Sequence, residues 1–177
     1  MPKFVVFLRG INVGGHVVTK EQLLRVFTSS KFNDVSTFKQ SGNVILESET
    51  SNADDIRKTL ETKLRQALGF DVYVFVRTSQ YLKQLIQLDP FKGQDEKNAD
   101  FQVTFLAGAP TELRLKLPVR IPNSTADVIS IHGTEVFSLT RGNGDGGKPN
   151  PFLESKLQIR ATTRNWNIIK DIVERYG

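Results

Sequence analysis

Apolar residues along this chain fall into short β-branched and aromatic runs, separated by stretches in which they recur every three or four residues. Residues 4–9 form the first strand-length run, and the glycine-rich stretch 10–15 punctuates it. A capping box of Thr19 and Gln22 then opens a helix burying Leu23, Leu24 and Phe27, with Val18 placed to staple onto Leu23. Residues 35–40 and 43–48 read as two strands joined by the tight turn Ser41-Gly42. Either Ser51 or Asn52 caps the next helix, whose Ile56, Leu60, Leu64 and Leu68 recur every four residues until Gly69 ends it. Residues 72–77 make a fourth strand, and Thr78 or Ser79 caps a further helix that closes at Asp89-Pro90.

Strand, helix, strand, strand, helix, strand is the ferredoxin-like βαββαβ order, which predicts an α+β first half over residues 1–90. In that topology the first strand ends at the same sheet edge as the turn between strands two and three. Residues 9–15 and 40–43 are therefore expected on one rim. The polar stretch 91–100 marks the boundary. Beyond it, residues 101–107 predict a strand, 110–117 a short helix opened by proline, and 125–131 and 134–140 a hairpin through His132-Gly133. Helices are expected from Asn150-Pro151 through Ile159 and from Thr162 or Thr163 onward, the latter burying Trp166, Ile169, Val173 and Tyr176. Residues 91–177 thus read as a degenerate βαββαα half, a topological repeat packed with the first as one body.

Composition narrows the chemistry. The 177 residues contain no cysteine and two histidines, so a disulfide framework, a thiolate zinc site and a cysteine nucleophile are excluded, and neither metal nor cofactor is expected. Nothing approaches a membrane span and no signal-peptide layout opens the chain, so a cytoplasmic location without membrane partners is expected. A net charge of +5, dispersed rather than clustered, favours anionic partners only mildly.

Three segments carry candidate chemistry. At Arg9 to Gly15, the glycines expose backbone N–H groups before a helix N-terminus, Arg9 supplies a fork for phosphate or carboxylate, and Asn12 a neutral hydrogen bond. The structural alternative is that Gly10, Gly14 and Gly15 turn the chain while Arg9 pairs with an acid. Turn chemistry accounts for Ser41 and Asn43 but not for Gln40. In Thr162-Thr163-Arg164-Asn165-Trp166, an arginine in a first helical turn opposes the macrodipole, a cost that a bound anion would reverse. A salt bridge would serve Arg164 equally, and Trp166 reads as a core anchor. The match of residues 142–148 to a phosphate-loop pattern fails because Pro149 replaces the required hydroxyl.

The segments LRGINVGG at 8–15, QSGNV at 40–44 and ATTRNW at 161–166 together resemble an uncharacterised bacterial family known only as a conserved domain of unknown function. The resemblance implies an α+β protein with a ferredoxin-like first half and a related second half, and no activity. His16 stands where family members often carry lysine. The expected function is binding of a small anionic ligand at the rim between the halves by Arg9, Asn12, Gly14, Gly15, Gln40, Ser41, Asn43, Thr163, Arg164 and Asn165. No residue pattern defines a reaction. A nucleic-acid-binding module using the same arginines, and a structural or protein-interaction role, are the alternatives.

Overall fold

The computed structural model describes residues 1–39, 42–112, 115–142 and 149–177. By internal contacts the chain divides into Met1–Gln84 with Ile172–Gly177, and Leu85–Asp171. Among the described residues, no helix is long and apolar enough to cross a membrane.

The first unit runs β1 (Lys3–Arg9), α1 (Lys20–Thr28), β2 (Asn33–Thr37), β3 (Asn43–Glu47), α2 (Ala53–Leu68), β4 (Tyr73–Thr78) and the start of α3 (Ser79–Gln87). Its antiparallel sheet has the order β2-β3-β1-β4, as the βαββαβ reading requires. Local signals set the helices. Thr19 and Gln22 form the reciprocal capping box of α1, Asn52 accepts from the Asp54 amide at the start of α2, and Gly69 ends α2 at φ 80°. Strand alternation then decides the core. Phe4, Val6 and Leu8 of β1, with Val44, Leu46, Val74 and Val76, pack with Leu23 and Phe27 of α1 and Ile56, Leu60 and Leu64 of α2. The opposite face, Val5, Phe7, Ile45 and Phe75, is buried as well. Phe7 and Phe75 on that face are therefore not offered for base stacking.

The second unit contains β5 (Ala99–Leu106), β6 (Val119–Arg120), β7 (Ala126–His132), β8 (Glu135–Arg141), α4 (Pro149–Leu157), β9 (Ala161–Asn165) and the first turns of α5 (Trp166–Tyr176). Its sheet order is β6-β7-β8-β5-β9. Without the two-residue β6, that is the strand order of the first sheet. The α+β class holds, but three details of the expected second half are corrected. The described residues of 107–118 form no helix. Pro118 disfavours helical geometry at Leu117, and the segment instead sends Leu115 and Ile121 into a core with Leu106, Val128, Val136, Leu153 and Leu157. Residues 161–165 are a strand rather than a helix start, pairing from Gln102↔Asn165 to Leu106↔Ala161. The β7–β8 loop is Gly133-Thr134 rather than His132-Gly133, because His132 pairs with Glu135 and only Gly133 takes a positive φ, 59°. The other sheet face carries an aromatic cluster in which Phe91 stacks on Phe101 at 4.3 Å, while Trp166 meets Phe91 at 5.6 Å and Phe137 at 5.7 Å. Trp166 is a core anchor.

Candidate functional site

In the first unit, register brings two of the expected segments to one sheet edge. Phe7 pairs with Asn43, and the Leu8 amide donates to Gly42 O at 2.8 Å, so the end of β1 abuts the turn before β3. Alternation from the helix-facing Phe4, Val6 and Leu8 puts Arg9 on the opposite face, the one that Asn43 shares through Phe7. Arg9 is half-buried and pairs in register with Tyr73. Asn43 is buried, its amide donating to Phe38 O at 3.3 Å, so it secures the hairpin. Gln40 and Ser41 lie outside the described residues.

Backbone demands account for the loop that follows Arg9. Gly10, Gly14 and Gly15 take φ of 96°, 57° and 85°, and Asn12 takes 56°, so each glycine occupies a conformation that disfavours a side chain. Asn12 closes the loop from both ends: its amide donates to His16 O at 2.7 Å, and its Oδ1 accepts from the Val18 amide at 2.9 Å. Space around the loop is nonetheless open, since a Cβ built on Gly14 or Gly15 would meet nothing within 4 Å. The loop also exposes Val13 and Val17, and the His16 ring lies 4.1 Å from that of Phe70.

In the second unit, the β9 register splits the third segment between two faces. Arg164 opposes Val103, whereas Thr163 and Asn165 oppose Thr104 and Gln102. Arg164 therefore does not share a face with Thr163 or Asn165; it shares one with Thr162. Its Nη1 donates to Thr162 Oγ1 at 2.8 Å and to Thr163 O at 2.9 Å. Burial on this face, where Val103 and Phe105 are fully buried, pulls the guanidinium down to about 10, so it remains charged at neutral pH. Its strand setting also removes the expected conflict with a helix dipole. Asn165 caps α5, its Oδ1 accepting from the Asn167 amide at 2.9 Å.

On the reverse face, Thr163 Oγ1 donates to Asn150 Oδ1 and lies 2.7 Å from Thr104 Oγ1. With its one proton spent on Asn150, it accepts from Thr104. Beside this chain are three residues that sequence reasoning did not single out. Gln102 Oε1, Ser138 Oγ and Thr140 Oγ1 are buried polar atoms without a hydrogen-bond partner. Their signal was present as polar residues at alternate positions of two strands, Gln102 and Thr104, Ser138 and Thr140, on a face otherwise apolar. The phosphate-loop lookalike at 142–148 falls, apart from Gly142, outside the described residues.

Two antiparallel sheets with their helices define an α+β protein. The chain belongs to the family described as "Protein of unknown function (DUF1697)", whose model matches residues 1–137. That span takes in the 8–15 and 40–44 segments and stops before 161–166. Among solved structures, the chain is similar to the conserved bacterial protein SP0830 from Streptococcus pneumoniae, with a TM-score of 0.70 and 18% identity over 99% of this chain and 98% of that one. At that identity the likeness concerns the fold. No curated protein matches the sequence.

Proposed function

We propose that this protein binds a small ligand bearing a phosphate or carboxylate group, with Arg164 as the anion clamp and the Thr162 hydroxyl beside it. The observation that carries this reading is a guanidinium held on an apolar sheet face by Thr162 Oγ1 and Thr163 O. Both of these contacts are to neutral oxygens and orient the guanidinium. A fixed, partly desolvated guanidinium offers bidentate geometry at little further ordering cost, and its attraction for an anion is less screened than at an open surface. The open, glycine-lined loop after Arg9 is a second candidate contact for anionic groups.

Thermal unfolding with inorganic phosphate and a panel of phosphorylated and carboxylated compounds tests the proposal. A genuine ligand at about one hundred times its Kd stabilises the fold by about 2.7 kcal/mol. Arg164→Ala abolishes that shift, and Arg164→Lys weakens it, because lysine keeps the charge but not the fork. Arg9→Ala, measured alongside, asks whether the first loop takes part. A shift that survives Arg164→Ala undiminished removes the clamp. Binding that appears only with mixed-sequence nucleic acid, and falls steeply with added salt, replaces the small ligand by a phosphate backbone.

A further inference from the structure

The first unit holds a cavity of about 330 Å³ at the start of α3, lined by none of the candidate site residues described above. Pro2, Lys3, Ser79, Gln80, Lys83 and Tyr176 contribute to its wall. That volume is at the lower end of what small-molecule sites enclose. Thr78, also on the wall, caps α3 by accepting from the Tyr81 amide at 3.1 Å, so the positive end of a nine-residue helix opens beside the cavity.

Two independent features make this more than a helix terminus. Ser79 is only 8% exposed, yet its hydroxyl has no hydrogen-bond partner among the described residues while it lines the cavity. Its Oγ is not among the buried unpartnered atoms and opens to the cavity, where a ligand oxygen can accept from it. The charged side chains on the wall are Lys3 and Lys83, and neither forms an ion pair among the described residues. Around these polar groups the wall is apolar, formed by Pro2, the lysine stems and Tyr176. The Tyr176 ring is fixed by an edge-on contact with Phe38 at 6.0 Å and by Arg175 5.4 Å above it.

We propose that this cavity binds a small molecule carrying a phosphate or carboxylate on an aromatic body. The anion takes the ammonium groups of Lys3 and Lys83 and the Ser79 hydroxyl, and the ring lies against Pro2 and Tyr176. Aromatic surface is favoured over a long aliphatic tail because the apolar wall is short and holds a rigid ring. The site uses no residue of the Arg164 clamp.

An NMR titration of the full chain with phenyl phosphate and with benzoate tests this, using inorganic phosphate and phenol for comparison. At least one of the two aromatic anions gives saturable shifts at the amides of Lys3, Ser79, Gln80, Lys83 and Tyr176. Inorganic phosphate binds the same residues more weakly, and phenol does not saturate them. Lys83→Gln weakens the aromatic anion about tenfold, the effect of losing one charge-assisted contact. Ser79→Ala weakens it severalfold without lowering the unfolding temperature, since the hydroxyl has no protein partner to lose. Arg164→Ala leaves these shifts intact, which separates this site from the clamp. The proposal is overturned if neither aromatic anion saturates those amides, if phenol binds as well as phenyl phosphate, or if Lys83→Gln and Ser79→Ala both bind with unchanged affinity.

Discussion

Asp127 on β7 is gripped by Arg120 and Arg141, which approach it from either side. The hydrogen bond from Arg120, with a further one from Arg141, holds its carboxyl below the ordinary 3.8 against the opposing pull of desolvation. A carboxyl whose folded pKa is depressed adds stability above its unfolded value and loses it as pH falls through the folded one. Both arginines are more than half exposed, so solvent screening keeps the gain modest. Asp127→Asn should therefore cost about 0.5–1 kcal/mol at pH 7, by urea denaturation. The difference from the parent should shrink once pH drops below 3.8, and a gap that persists unchanged in acid would assign the loss to packing instead. Residue roles were unevenly legible in sequence. Asn12 and Asn43, expected among the ligand-binding residues, each bond their own backbone. The partners they use, Val18 N and Phe38 O, are backbone groups that no side-chain pattern announces.

At the scale of elements, legibility tracks the range of the interaction that makes each one. Helices α1 and α2 carry their capping box, cap and terminal glycine within a turn of their ends, and sequence reading places them closely. Strand β9 imitates a helix start, because Thr162-Thr163 before an apolar helical pattern resembles an N-cap. What makes it a strand is β5, some sixty positions earlier, and that pairing is invisible locally. The true cap, Asn165, lies only two or three residues downstream. The hydroxyl chain Thr104, Thr163, Asn150 joins β5, β9 and α4, and Thr104 is fully buried. Thr163→Val keeps the shape and the β propensity but leaves the Thr104 hydroxyl and the Asn150 oxygen without that bond. The expected loss is about 1–3 kcal/mol. Val is a good strand former, so an unchanged denaturation midpoint would mean that pairing alone holds β9 and the hydroxyl chain adds nothing.

On the scale of the whole molecule, the chain uses one strand order twice and fills the two cores by different means. The first sheet is covered by two amphipathic helices. In the second, α4 brings Leu153 and Leu157, and the irregular segment before β7 supplies Leu115 and Ile121 where a helical face was expected. A sequence can show such a repeat only as topology, because burial constrains which positions are apolar and leaves the means of covering them open. The chain also returns to its beginning: Ile172–Gly177, the last turns of α5 and the residue after it, belong with Met1–Gln84. Ile172 is 1% exposed, and Tyr176 meets Phe38 edge-on. If these last turns are part of the first unit's cooperative core, Ile172→Ala should cost about 2–5 kcal/mol, as for other buried large-to-small changes. The loss should appear as faster amide exchange in β1 and β3, residues more than a hundred positions away, as well as in α5. Faster exchange confined to α5 would make the helix end a separately fraying segment, and the first unit would then be complete at Gln84.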